Sequence, residues 1–244
     1  MGNIIAVLSR ELKGYFETPV AYVFMVVFLM IAGLFTFYLG GFYETEQANL
    51  LAFFNWHPWL YLFLIPAISM RLWAEERRSG TIEILLTLPI STFESVLGKY
   101  FAAWIFSGIT LLLTFPIFLT VNYLGDPDNG IIFISYIGSF VMAGAFLAVG
   151  SCMSSMTQNQ VISFVISITV CFLFTLSGFP IVIDFFTALH LPQFLIDTIS
   201  SFSFVQNFDD ILKGALSLKN VVYFSSFIIF WLYLNIVIID TKRA

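Results

Sequence analysis

Residues 131–153 read IIFISYIGSFVMAGAFLAVGSCM, a run without Asp, Glu, Lys or Arg. An α-helix rises about 1.5 Å per residue, so about 20 apolar residues are enough to span the hydrocarbon core of a bilayer. This stretch is therefore predicted to cross a membrane as one helix. Five further runs are predicted to do the same, namely residues 19–41, 51–70, 100–124, 161–183 and 221–239.

The composition of the whole chain agrees with a membrane protein. Of its 244 residues, 59% are hydrophobic, 10% are charged and thirty are Phe. A soluble domain carries about 25% charged residues, so the charges here are too few to give a polar surface. The predicted fold class is an all-α integral membrane protein, with one transmembrane domain over residues 1–244 and six transmembrane helices.

Basic residues are concentrated on one predicted side of the membrane. If the six spans alternate in direction, the side that holds both chain ends carries all Lys and Arg residues except Lys213 and Lys219. Lys and Arg accumulate in cytoplasmic loops. We therefore expect a multi-pass protein of the inner (cytoplasmic) membrane, with both termini in the cytoplasm.

Two segments outside the spans are apolar enough to contact the membrane. Residues 1–17 place Leu8 and Leu12 on one helical face and Lys13 away from it, which predicts an amphipathic helix in the membrane interface. A soluble helix packed on another subunit is the alternative. Residues 184–220 are too apolar for a solvated loop, and we expect a hairpin of short helices that re-enters the outer leaflet before the last span.

Local patterns predict where two of the helices begin. Residues 91–94 read Ser-Thr-Phe-Glu, the pattern of a capping box, ahead of the third span. Residues 157–160 read Thr-Gln-Asn-Gln and predict a second capping box, ahead of the fifth span.

A charged segment, residues 71–99, joins the second and third spans. Gly80 is predicted to end the helix that continues from the second span. Ile82, Leu85 and Leu86 then recur at helical spacing and form one apolar edge of a short helix. Such an edge among charges needs something to dock against. A loop folded onto lipid headgroups is the alternative, although its acidic residues would be repelled by anionic lipid.

Residues 75–91, EERRSGTIEILLTLPIS, resemble the cytoplasmic signature of ABC-2-type transporter permeases, and the resemblance extends over the whole chain. The gliding-motility-type and copper-enzyme-maturation-type permeases look closest. Their second span is similar to residues 56–67, and their outer segment is similar to residues 203–204 and 211–214.

The resemblance implies a non-catalytic transmembrane subunit. It would bind a separate cytoplasmic ABC ATPase, which holds ATP and Mg, through a coupling helix at about Thr81 to Leu88. It would also pair with a second permease copy or a related membrane subunit with a large outer-side domain. The predicted ATPase-docking residues are Glu75, Glu76, Gly80, Thr81, Ile82, Glu83, Leu85 and Leu86.

The sequence contains no Gly-x-x-x-x-Gly-Lys-Ser/Thr loop for binding the phosphates of ATP. An ATPase that drives this chain is therefore expected to be a separate polypeptide. No Ser-His, Cys-His or paired-carboxylate arrangement is apparent either, and we expect no catalytic residue, cofactor or metal in this chain, and no nucleic-acid partner. Trp56, His57 and Trp59 are interpreted as residues at the lipid–water boundary, with His57 as an interfacial donor, and not as a metal site.

Small residues recur every four positions along the fifth span: they are Ser163, Ser167, Cys171 and Thr175. Close packing between helices is one interpretation of this small-residue stripe. A subunit interface or a translocation path, which the resemblance implies, is the other. Asn235 in the sixth span is expected to form an internal hydrogen bond, because an unpaired amide is costly in lipid.

The predicted function is that of a permease subunit of an ABC transporter, an exporter of an unknown substrate. The spans contain no Asp, Glu, Lys or Arg, which argues against an ion-driven secondary transporter. A structural membrane anchor, or a force-transmitting subunit of a larger envelope complex without its own substrate, is the alternative.

Overall fold

The computed structural model describes residues 2–44, 47–83, 89–214 and 217–242, and every regular element in these ranges is helical. Within them, five helical stretches are long and apolar enough to cross a membrane, and one bent pair of helices is a sixth candidate. The five are Pro19–Leu39, Leu51–Ser79, Thr92–Leu124, Asn129–Met156 and Leu218–Thr241. The chain is therefore an all-helical, multi-pass membrane protein.

The helices are numbered here in chain order. They are α1 (Gly2–Glu17), α2 (Pro19–Leu34, followed by a π-helical turn, Phe35–Leu39), α3 (Leu51–Phe54), α4 (His57–Ser69), α5 (Arg71–Ser79), α6 (Thr92–Leu112), α7 (Phe115–Leu124), α8 (Asn129–Met156), α9 (Gln160–Leu176), α10 (Pro180–Ala188), α11 (Gln193–Ser201), α12 (Phe204–Leu212) and α13 (Leu218–Thr241).

Helix α8 is the centre of the bundle. Every residue from Met142 to Ser155 is buried, and the helix contacts α4, α5, α6, α9, α12 and α13. Small residues allow this crowding. At Gly150 an added Cβ would overlap the hydroxyl of Ser69 on α4. The peripheral helix α2 buries a single face instead, formed by Ala21, Met25, Phe28 and Ala32. Such one-sided burial leaves the other face of α2 for lipid.

The second predicted span continues beyond residue 70, because α5 follows α4 almost directly. Ser154 on α8 stabilises this junction. Its hydroxyl accepts hydrogen bonds of 3.1 Å from the backbone N–H groups of Trp73 and Ala74 and donates one of 2.9 Å to the carbonyl of Met70. The first N–H groups of a helix have no partner within the helix, so Ser154 acts as a cap supplied by another helix.

The fifth predicted span, residues 161–183, is not one continuous helix. Helix α9 ends at Leu176, α10 begins at Pro180, and the two axes differ by 79°. Proline lacks an N–H group and so interrupts the helical hydrogen bonds. Gly178 lies close to α12. A Cβ added at Gly178 would come within 2.6 Å of Gln206 on α12 and 2.7 Å of Ser203, the residue that precedes this helix. Tertiary packing therefore contributes to the break.

One predicted capping box is confirmed and the other is wrong. Ser91 and Glu94 form the predicted reciprocal box at the start of α6. Helix α9 is capped by Asn159 instead of Thr157, since the Asn159 side chain accepts from the N–H groups of the second and third residues after it, at 2.9 and 3.4 Å. Asn159 directly precedes the first helical residue, so its carbonyl reaches those donors.

The described part of the segment before α13, residues 180–214, contains three short helices. Helix α12 packs on α8, and its Phe204, Phe208 and Ile211 are buried. Helix α10 has no buried residue and exposes Ile181 and Phe185. The re-entry of this segment into the membrane stays a prediction.

Candidate functional site

The helix ends that lie near α1 form one end of the bundle, which we call the basic end. It comprises α1, α5, the first turns of α6 and the last residues of α8 and α13. The Thr92 hydroxyl, at the start of α6, donates to Asp240 near the end of α13 at 2.6 Å. The Lys242 ammonium donates to the carbonyl of Met156, the last residue of α8, also at 2.6 Å. Segments distant in sequence are thereby joined at this end.

A buried lysine lies at the centre of the basic end. The side chain of Lys99, on α6, is only 2% exposed, and its ammonium lies 2.6 Å from Glu76 Oε1 and 3.1 Å from Glu11 Oε1. Arg10 reaches the same two carboxylates, at 3.8 and 2.6 Å. We call these four residues the charge cluster. A buried charge is tolerated when it is paired and hydrogen-bonded, so Lys99 depends on carboxylates from α5 and α1.

The cluster stabilises the Glu11 carboxylate in its charged form. Burial opposes the ionisation of Glu11, but the charge of Lys99 and hydrogen bonds from Arg10 and Lys99 outweigh it, and the pKa of Glu11 is lowered. The hydrogen bond to Glu11 in turn raises the pKa of Arg10. Glu11 is therefore held as a carboxylate between Arg10 and Lys99, and the ion pairs of the cluster join α1, α5 and α6.

A cleft of about 540 Å³ lies beside the charge cluster, between α1 and α5. Tyr15 and Thr18 contribute to its wall, together with the ion pair of Arg71 and Glu75. Both signs of charge line the cleft, and the acids and bases of its wall pair with one another. The cleft therefore has exposed polar groups but no strong electrostatic potential of a single sign.

The predicted docking residues differ in how accessible they are. Glu76 belongs to the charge cluster and is only 18% exposed, so its carboxylate is already used within the chain. Glu75 pairs with Arg71 at 2.8 Å but remains 47% exposed. Gly80 ends α5 with a φ of 73°, a left-handed conformation that favours glycine. The predicted helix end at Gly80 is confirmed.

The residues after Gly80 begin the predicted coupling helix. Residues 81–83 are helical, with Thr81 and Glu83 exposed, while Ile82 is half-buried and packs against the core. Leu85 and Leu86, the two predicted apolar anchors, lie outside the described residues. Their docking role stays a prediction.

The small-residue stripe of α9 faces into the chain. Ser163, Ser167, Cys171 and Thr175 are all 0% exposed, and α9 packs against α8 and α4. The burial supports close packing within one subunit. In this conformation the four side chains are not accessible to a second subunit.

Two polar residues within the spans form internal hydrogen bonds. Asn235 donates to Ser151 at 2.8 Å, which confirms its predicted role. His57 was expected at the lipid–water boundary, and this is wrong: it is 0% exposed, with Nδ1 2.7 Å from Ser139 Oγ, which also lies 2.7 Å from the Tyr61 hydroxyl. Its position at the start of α4 turns the ring inward against α8. In the described part of the chain, no three His, Cys, Asp or Glu residues could hold a metal.

Lys99 was missed as a site residue because it was counted with the charges of the segment that joins the second and third spans. A signal was present in the pattern after the capping box. Thr92, Ser95, Val96 and Lys99 recur at helical spacing, and all four are buried in the structure. A lysine on the apolar or small-residue face of a helix indicates a paired buried charge.

Comparison with known proteins identifies the family but not a specific relative. No curated protein matches the chain. A family model described as "ABC-2 family transporter protein" matches residues 45–239, which extend from before the second candidate span into the last turn of the final one. The match covers well over half of the chain, and the protein therefore belongs to the ABC-2 family of transporter proteins.

Proposed function

We propose that this chain is the permease subunit of an ABC exporter, and that a separate cytoplasmic ATPase drives it. Family membership supports the permease assignment. The lack of a phosphate-binding loop in the sequence supports a separate ATPase chain. In this proposal the chain lies in the inner membrane and its basic end faces the cytoplasm, because Lys and Arg accumulate on the cytoplasmic side of membrane proteins.

The observation that carries the proposal is the charge cluster. Glu76 lies on α5, one turn before Gly80 and residues 81–88, and it binds Lys99 on α6 at 2.6 Å. Helix α5 is in turn a continuation of α4 within one candidate span. A displacement of residues 81–88 by an ATPase would therefore act on α5 and be passed to both α4 and α6. This is what coupling requires, since two spans must respond to one contact.

The proposed contact is an apolar helix docked into a groove of the ATPase. Leu85 and Leu86 are its anchors, and Gly80 sets its direction. Glu83, which is exposed, and Glu75, whose side chain is 47% exposed beside Arg71, pair with basic groups of the ATPase, whereas Glu76 stays within the charge cluster. A second permease subunit completes the transporter. It would contact the outward faces of the bundle, since the stripe of α9 is buried.

The test begins with the tagged chain purified in mild detergent from its own cells, together with the ATPase that copurifies. The complex is placed in nanodiscs and its ATP hydrolysis is measured. Leu85→Asp should weaken docking by about tenfold or more, because burying one Leu side chain contributes about 1.5–3 kcal/mol. Gly80→Val should misdirect the helix, because valine rarely adopts a positive φ.

Leu218→Asp is the matched control. Leu218 is 80% exposed at the opposite end of the bundle, so the same change there should leave docking and hydrolysis unchanged. If Leu85→Asp and Gly80→Val both retain the ATPase and its hydrolysis, the segment is not the coupling element. If an ATPase binds but its hydrolysis never responds to the membrane complex, the structural-anchor alternative is supported instead.

A further inference from the structure

The basic groups of the basic end fall into two classes. Arg10, Arg71 and Lys99 each have a carboxylate within 4 Å. Among the described residues, Lys13, Arg77, Arg78 and Lys242 have none. Unpaired cations at the end of a membrane-spanning bundle can attract an anion.

Helix contacts bring Arg77 and Lys242 to the same place. Lys242 donates to the carbonyl of Met156 at the end of α8. On α5, the Trp73 side chain faces α8, because its indole N–H donates to Ser151; its backbone N–H donates to Ser154, two residues before Met156. Arg77 is four residues after Trp73 and therefore lies on the same face of α5. Both cations thus lie at the last turn of α8.

Among the described residues, no carboxylate lies within 4 Å of either cation. The pKa of Lys242 is lowered, mainly by desolvation and further by the positive charge of Arg77, as expected for neighbouring like charges. Asp240, the acid closest in sequence to Lys242, accepts the hydroxyl of Thr92. Glu76 is held by Lys99.

Arg77 also has a donor without an acceptor. Its Nε is buried and has no hydrogen-bond partner in the structure. A buried N–H without an acceptor is costly, and the oxygens of a phosphate or a carboxylate are the acceptors that match a guanidinium best.

The surface next to this pair of cations is apolar. Met156 is 49% exposed, and at the start of α9 Val161 and Ile162 are 67% and 49% exposed. Helix α9 packs against both α5 and α8. A ligand with a phosphate and long apolar chains would match both the cations and this surface, whereas a free phosphate would match the cations alone.

We propose that Arg77 and Lys242 bind the phosphate of an anionic phospholipid in the leaflet at the basic end, with its acyl chains along Met156, Val161 and Ile162. Basic pockets between transmembrane helices bind anionic headgroups in this way. The lipid would bridge the ends of α5 and α13, and so stabilise the position of the helix that leads to residues 81–88. The binding site itself does not depend on the proposed coupling to an ATPase.

The test uses the full chain purified in mild detergent and free of other proteins. A short-chain phosphatidylglycerol is titrated and its dissociation constant is measured, with phosphatidylcholine of the same chain length as the headgroup control. The double variant Arg77→Gln/Lys242→Gln should bind phosphatidylglycerol roughly thirty-fold more weakly, because each basic group near anionic lipid contributes about a five-fold gain. Glutamine keeps a donor for the carbonyl of Met156.

Lys213→Gln/Lys219→Gln is the matched control, since it removes two exposed lysines from the opposite end of the bundle and should bind phosphatidylglycerol like the unmodified chain. Arg77→Lys/Lys242→Arg keeps both charges and should retain the affinity, which separates loss of the site from loss of folding. Equal binding by the Gln double variant would overturn the proposal. So would equal affinity for phosphatidylcholine, or displacement of the lipid by millimolar inorganic phosphate.

Discussion

The ammonium of Lys99 lies 2.6 Å from Glu76 Oε1 although the two residues belong to different helices of the bundle. The lysine is 2% exposed, and its ammonium nitrogen lies 5.3 Å from the centre of the Trp73 indole ring. The contact therefore joins α5 to α6 through a charge that is nearly excluded from solvent. The stability of the basic end should depend on it.

Lys99→Met should destabilise the protein by about 3 kcal/mol, because it removes the buried cation between Glu11 and Glu76 and leaves them paired only with the more exposed Arg10. This value is at the lower end of the usual cost of breaking a buried ion pair, because the side chains of Glu11 and Glu76 remain about a fifth exposed to solvent. Unfolding of the purified chain in a denaturing detergent measures the change. Lys13→Met, which removes an exposed lysine on α1, is the control and should change little. A Lys99→Met protein as stable as Lys13→Met would show that the cluster contributes nothing.

Ser154→Ala should destabilise the junction of α4 and α5 by about 1–2 kcal/mol. It removes the acceptor of two buried N–H groups, those of Trp73 and Ala74, as the loss of a helix cap does. Ser155→Ala is the matched control, since the hydroxyl of Ser155 is equally buried but bonds only to Cys152 in its own helix. The same unfolding assay should separate the two alanine variants, and equal effects would argue against the cap.

Gly150→Ala should destabilise the bundle by about 1–3 kcal/mol, the usual cost of overpacking a core. The new methyl group would overlap Ser69, and α4 and α8 would have to move apart. Gly33→Ala in α2 is the control. It has nothing within 4 Å of an added Cβ, and alanine is the better helix former there, so it should be neutral or slightly stabilising. If the two variants unfolded alike, the close approach of α4 and α8 would be wrong.

An impermeant thiol reagent should label Asp126→Cys from outside sealed cells and should not label Arg78→Cys. Both positions are exposed, and they lie at opposite predicted sides of the membrane. The native thiols Cys152 and Cys171 are 0% exposed, so the unmodified chain should stay unlabelled and serves as the control. After permeabilisation both variants should react. External labelling of Arg78→Cys would place the basic end outside the cell and contradict the proposed orientation.

Features that depend on neighbours in the chain could be predicted from the sequence. The Ser91–Glu94 capping box needs only residues three apart, and it is present. Gly80 was predicted to end a helix because glycine adopts a left-handed turn without strain, and its φ is 73°. The fifth span shows the limit of this reasoning. Residues 161–183 are apolar throughout, and hydropathy alone does not reveal the 79° bend at residues 177–179.

The location of a residue within the spans could be predicted only when its chemistry allows a single kind of environment. An amide in an apolar span needs a partner, and Asn235 has one in Ser151. His57 and the small-residue stripe each allowed a surface or an interior position, and both lie in the interior. A helix presents both faces at every turn, so periodicity shows that residues share a face but not which neighbour covers it.

The sequence by itself determined that this chain lies in a membrane, which segments can cross it, where Gly80 ends a helix and to which family the chain belongs. These properties follow from hydropathy, local backbone preference and the family match over residues 45–239. Only the tertiary structure decided that Lys99 pairs with Glu76 and Glu11, which are 23 and 88 residues away, and that Ser154 caps another helix. Ion pairs and hydrogen bonds act over about 3 Å in space, so they are settled when the helices pack and not when they form.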